Sequence, residues 1–106
     1  MQDMKWSSAE KRIARSVFDA ALQRELADIV SAFKTQAAAV TEPQALWSLL
    51  DRTGRRRADI DRKYDFRYSQ LPVVFGLLLR EGRIALDDLQ GLGDEKIAVV
   101  RTIAEL

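Results

Sequence analysis

The densest chemistry in the chain lies in GRRRADIDRKYDFRYS, Gly54 to Ser69. Arg55, Arg56 and Arg57, with Arg62, Lys63 and Arg67, could neutralise phosphates, because counterion release supplies most non-specific affinity for nucleic acid. That work needs cations clear of acids on one face. Here Arg55 stands four before Asp59, Arg57 four before Asp61 and Asp59 four before Lys63, so on a helix they are neighbours whose fields largely cancel. A solvated, ion-paired face is expected, and no nucleic-acid partner. Paired carboxylates could share acid and base roles. The two candidates, Asp59/Asp61 and Asp87/Asp88, are two apart and adjacent, so on a helix each pair points to different sides. The chain has no histidine and no cysteine, which removes the commonest metal ligands and the commonest general base near neutral pH. It also lacks a glycine-rich phosphate loop, a nucleophile elbow and any metal-ligand spacing. The expectation is a protein that is not an enzyme and holds no cofactor or metal.

A different grouping emerges from the register. Trp47, Leu50, Gly54, Arg57, Asp61, Tyr64 and Tyr68 are spaced alternately three and four and so share one helical stripe. Arg57 falls in its middle; Arg55 and Arg56 do not lie on it. An arginine there can lay its alkyl stem on Trp47 or Tyr64 while its fork meets a carboxylate. Asp61 is the candidate within the helix, and Asp51 is one if a second subunit brings it close. Spacing alone leaves an interface arginine and a plain snorkelling arginine equally open.

The elements that would position these residues read as helices. Ser7 with Glu10 makes a capping box, and Ile13, Val17, Ala20 or Ala21, Leu22, Leu26, Ile29, Val30, Phe33 and Ala37 follow mostly three or four apart, with no glycine or proline before Pro43. One helix from about Ser8 to Ala39 is predicted. At 1.5 Å per residue it would be roughly 45–50 Å long, against a radius of gyration of about 13 Å for a compact domain of this size. Such a helix overhangs its own domain, and a second copy in a two-fold dimer would cover its apolar stripe most simply. Thr41 with Gln44, and Pro43 in the first turn, start a second helix, inside which Gly54 marks a kink or a close approach of another backbone. LPVVFGLLLREG reads as a buried helix closed by Gly82. The tail divides at Gly91 and Gly93 into a short helical turn and a last helix capped by Asp94. Residues 1–106 therefore read as a single all-α domain of about five helices.

The bulk composition agrees with a globular chain: 47% hydrophobic residues, 31% charged, and a formal charge of +1. So small a net charge holds the chain on no polyanion or anionic membrane. No segment reaches the roughly 20 apolar residues of a membrane span. MQDMKWSSAEKR is too polar for a signal peptide, and cytoplasmic placement is expected.

The stretch ALWSLLDRTGRRRADIDRKYDFRYSQLPVVFGLLLREGRIALDDLQGLGDEK resembles the central and C-terminal part of the fluorescence recovery protein family of cyanobacteria. The likeness rests on Trp47, Leu49, Asp51, Arg57, Ile60, Asp61, Lys63, Tyr64, Asp65 and Arg67, followed by Val74, Phe75, Leu78, Glu81, Gly82, Leu89, Leu92 and Lys96. It covers about half of the chain closely, with DIDRKYDFR its most specific run. The resemblance implies an all-helical homodimer that binds the red form of the orange carotenoid protein, speeds its return to the orange form and ends photoprotective quenching; the alternative is a dimeric regulator or scaffold of the same fold whose client is another cytosolic protein. The resemblance also implies that Trp47, Asp51 and Arg57 are central to the partner surface, and the stripe adds Leu50, Asp61 and Tyr64 to the expected partner or dimer interface. Leu50 stands where the family carries a histidine, and Val73 where it carries an aromatic residue.

Overall fold

The computed structural model describes residues 4–106. Helix α1 spans Ser8–Ala38 and opens on the predicted box: the Glu10 amide donates to Ser7 Oγ at 3.1 Å, and the Ser7 amide donates to Glu10 Oε1 at 3.0 Å. With no glycine or proline to interrupt it, α1 runs unbroken for 31 residues.

Helix α2 spans Pro43–Lys63 and passes through Gly54 without interruption. The expected Thr41–Gln44 box does not form. Pro43 sits in the first turn, Glu42 is the N-cap and makes no side-chain cap bond, so Thr41 and Gln44 lie one position out of register for the reciprocal pair. Helix α3, Leu71–Arg80, ends as expected at Gly82, whose φ of 72° suits glycine. The Arg83 amide donates back to the Leu78 carbonyl at 2.9 Å and the Gly82 amide to Leu79 at 3.1 Å, a Schellman closure that fixes where Arg83 leaves the helix.

Leu86–Leu89 forms a single 3-10 turn, whose N-terminal Ala85 amide is held by the Asp88 carboxylate at 2.8 Å. Helix α4 spans Asp94–Glu105. Its N-cap is Gly93 and not Asp94, because the Gly93 carbonyl already accepts from the Lys96 and Ile97 amides; Asp94 instead lies in the first turn, favoured there by the helix dipole. The described residues thus form four α-helices. The expected count of about five included the turn at Leu86.

The core gathers at one end. Ala14, Phe18 and Ala21 of α1 meet Leu71, Val74, Phe75 and Leu78 of α3, closed over by Ile84, Leu89, Leu92 and Val100. From this head the C-terminal half of α1 extends beside an antiparallel α2, which buries Leu49 and Ile60. The result is elongated, 53 × 23 × 23 Å with a radius of gyration of 16.7 Å, well above the roughly 13 Å of a compact chain this long. The arm leaves Leu26, Val30, Leu46, Trp47 and Leu50 exposed.

Candidate functional site

Helix α2 turns Leu49 and Ile60 toward α1, so the residues half a turn away must face out. Trp47 is 57% exposed and Leu50 43%; Asp51, Gly54 and Asp61 are exposed with them. The Arg57 side chain is 86% exposed, and its Nε lies 4.0 Å from Asp61 Oδ2, one helical turn on. At such exposure the pair contributes at most about 0.5 kcal/mol to the helix. Beside this stripe, on one flank of the arm, Leu22, Leu26 and Ile29 of α1 and Thr53 and Ile60 of α2 line an apolar groove of about 390 Å³. Arg57 and Asp61 stand on its rim. A Cβ placed on Gly54 would meet nothing within 4 Å, so the outer face is flattest in the middle of the stripe.

Tyr64 does not continue that stripe. The helix ends at Lys63, and Tyr64, its C-cap, adopts φ −88° and ψ 75°, which turns the ring inward. The ring packs edge-on against Phe18 with centroids 5.4 Å apart, and its hydroxyl donates to Glu25 Oε1 at 2.7 Å. Tyr68, beyond the helix, packs on Trp6 and Phe66 instead. Trp47, Leu50, Asp51, Arg57 and Asp61 thus share an outer face, while Tyr64 belongs to the joint between arm and head.

That joint centres on Glu25, which is buried. Its carboxylate accepts from Lys63 Nζ at 2.9 Å and from Tyr64, and lies 3.2 Å from Arg83 Nε. Burial, the largest influence, works to raise its pKa, but the hydrogen bonds from Lys63 and Tyr64 and the charges of Lys63 and Arg83 outweigh it and hold the carboxyl below its usual range. The same burial, with Glu25 as acceptor, pushes the Tyr64 hydroxyl up. Glu81 bridges Lys63 at 2.8 Å and Arg83 at 3.4 Å, and Asp28 takes Arg83 Nη1 at 3.1 Å. Three elements are locked at one point.

The charge run pairs differently from its spacing. Asp59 pairs with Arg62, three residues on, instead of with Arg55 or Lys63, and Lys63 is drawn to Glu25 and Glu81, which leaves Arg55 without the one partner the spacing suggested. Sequence reasoning also missed a second buried acid. Glu10 accepts from the Gly93 amide at 2.8 Å and pairs with the buried Lys96 at 3.1 Å, tying the start of α4 to the start of α1. The Ser7 and Gly93 amides, then Lys96, hold its pKa down at about 2. A signal for both acids existed: Glu10, Ala14, Phe18, Ala21 and Glu25 recur at spacings of four, four, three and four, so two acids end the stripe that α1 buries.

Among the described residues no group of three or more acids could hold a metal ion. Nor is any described helix long and apolar enough to cross a membrane. What the arm offers is a surface: an aromatic and aliphatic stripe, an apolar groove, and an exposed arginine–aspartate pair between them.

Comparison with known proteins shows what the chain as a whole is similar to. The sequence model of a family described as photoprotection regulator fluorescence recovery protein matches residues 6–104. The fluorescence recovery protein of Synechocystis sp. PCC 6803 is 37% identical over 101 residues, 95% of this chain and 93% of the relative. The solved structure of that protein superposes with a TM-score of 0.92 at 36% identity, covering 96% of this chain and 100% of its own. The fluorescence recovery protein of Fremyella diplosiphon superposes equally well, with a TM-score of 0.92 at 30% identity and the same coverage.

Proposed function

Because the chain belongs to the fluorescence recovery protein family of photoprotection regulators, we propose that it acts as a non-enzymatic homodimer that speeds the red-to-orange return of an orange carotenoid protein and so ends photoprotective quenching. The single observation that carries this reading is the outer face of the arm, where Trp47, Leu50, Asp51, Arg57 and Asp61 stand exposed beside an apolar groove. Tyr64 contributes from behind, by fixing the end of α2 to Glu25. An exposed tryptophan and leucine next to a groove cost solvation in a lone chain, and a second copy or a client removes that cost. The helper needs no reactive group. It speeds the return of its client by binding the conformations on the return path better than the red form, and a helper with equal affinity for all of them would shift nothing.

The deciding measurement is the dark recovery of an illuminated orange carotenoid protein, followed by its absorbance with and without this chain. Faster recovery is expected, and no acceleration at a micromolar excess refutes the proposal. Light scattering should give about twice the 12.0 kDa chain mass. Arg57→Ala should slow recovery or lower that mass with helicity intact, whereas Arg55→Ala should leave the mass unchanged. Equal losses of mass in the two variants would show that the stripe does not define the interface.

A further inference from the structure

The other flank of the arm, which meets the apolar groove along the seam at Ile29 and Thr53, carries a cleft of about 400 Å³ with a different character. Half-buried Ile29, Ala32 and Phe33 of α1 form its floor, and Arg52, Arg55 and Arg56 of α2 form its wall. These arginines stand at i, i+3 and i+4, where like charges on a helix repel by about 0.2–0.5 kcal/mol per pair. Among the described residues no carboxylate lies within 4.0 Å of any of the three. The acid on the same wall, Asp59, is taken by Arg62, and Arg52 reaches only the Gln36 side-chain oxygen, at 3.5 Å. The lone chain therefore sets three guanidinium groups side by side over an apolar floor and neutralises none of them.

We propose that this cleft docks an acidic, amphipathic helical segment of a partner protein, its apolar side chains on Ile29 and Phe33 and its carboxylates in the forks of Arg52, Arg55 and Arg56. Guanidinium groups take carboxylates two-pronged, and a floor of aliphatic and aromatic carbon suits a helix with apolar residues three and four apart. A phosphate backbone fits less well. The cleft continues past Arg56 and Asp59 into a pocket where Glu25 and Glu81 are already paired with Lys63 and Arg83, so a longer polyanion finds no free cations there and would leave the apolar floor of the cleft uncovered. A second copy related by a two-fold through the cleft would set the arginine wall against itself.

The test is fluorescence anisotropy of a labelled peptide titrated with the full chain. The probe is a helical peptide of about 20 residues with leucines at i, i+3, i+4 and i+7 and glutamates on both flanks. Saturable micromolar binding is expected. The double variant Arg52→Glu with Arg55→Glu should weaken it at least tenfold, about 1.4 kcal/mol, and should gain affinity for the same peptide with lysines in place of the glutamates. Arg57→Ala, on the other side of the arm, should leave binding unchanged, and circular dichroism checks that each variant stays helical. No binding at roughly 100 µM, an unchanged affinity in the double variant, or tighter binding to a DNA duplex that fades steeply with salt would each overturn the proposal.

Discussion

Replacing Gly76 by alanine tests the packing that holds the head together. A Cβ at Gly76 would lie 2.4 Å from both Cβ and Cγ2 of Ile103 and 3.1 Å from the Val100 carbonyl oxygen. Carbon pairs sit best at about 3.5–4.0 Å, so α4 must withdraw from α3 by roughly 1 Å. No rotamer change relieves this, since one of the clashing atoms is the Cβ of Ile103 itself. Overpacking of this kind costs about 1–3 kcal/mol, and the upper part of the range applies where backbone has to move. The better helix propensity of alanine returns about 1 kcal/mol. A net loss of about 1–2 kcal/mol follows, which lowers the melting temperature of a domain this size by roughly 4–16 °C. Thermal unfolding followed by circular dichroism at one fixed protein concentration measures it, since assembly would make the midpoint concentration-dependent. Ile103→Ala, which removes Cγ2 but keeps Cβ, should be destabilising alone and yet relieve the Cγ2 part of the clash when combined with Gly76→Ala, a non-additivity that two distant, independent sites would not show. A Gly76→Ala variant as stable as the parent would refute the close approach of α3 and α4.

Three further outcomes follow from the same contacts. Gly54→Ala, with nothing within 4 Å of its new Cβ, should raise the stability of the fold by about 0.5–1 kcal/mol while weakening any dimer seated on the stripe, which dilution with light scattering separates from stability. Glu10 has a folded pKa of about 2 against 4.5, so its contribution is fully present above about pH 4.5 and is lost as the pH falls toward 2; acid titration of Glu10→Gln should lack that part of the slope. Glu25→Ala leaves Lys63 partly buried beside Glu81 and Arg83 beside Glu81 and Asp28, and should cost about 2–3 kcal/mol in urea unfolding, whereas Tyr64→Phe, which removes one hydrogen bond to a carboxylate, should cost about 1–2 kcal/mol.

Local signals carried most of the fold. Ser7 and Glu10 marked the start of α1, the glycine-free run gave it its length, Pro43 placed α2, and Gly82 placed the end of α3. Overhang followed from length alone. What spacing could not supply was which of several apolar bands on α1 is buried. Ile13, Val17, Leu22 and Leu26, four, five and four apart, are bulkier and nearly as periodic as Ala14, Phe18 and Ala21, and only the placement of α3 decides between them. The outer stripe of α2 was legible as far as Asp61 because five of its residues lie within one continuous helix. It failed at Tyr64 because the stripe was extended past Lys63, where the helix stops and three-and-four spacing no longer describes direction. Ion pairing failed for a related reason. Spacing along α2 ranks neighbours on that helix, but Lys63 answers to Glu25 and Glu81, which the chain brings in from elsewhere.

The molecule divides its work between two ends. The head buries Phe75, Leu71, Leu78, Leu89 and Val100 almost completely, and its loss would unfold the chain. Along the arm, α2 buries only Leu49 and Ile60 and is anchored at its C-terminal end by Lys63 and Tyr64 on Glu25. Substitutions on its outward side therefore touch little that the fold depends on. Arg57 shows this most clearly: a side chain 86% exposed, with one carboxylate at 4.0 Å, has almost nothing to give the stability of a single chain. It is, however, held by a continuous helix at the rim of an apolar groove, with its fork free to meet a carboxylate on another surface. A residue so placed acts through association or not at all, so at a dilution where light scattering gives the single-chain mass for both, the parent and the Arg57→Ala variant should melt together, and they should differ only at concentrations where the parent assembles.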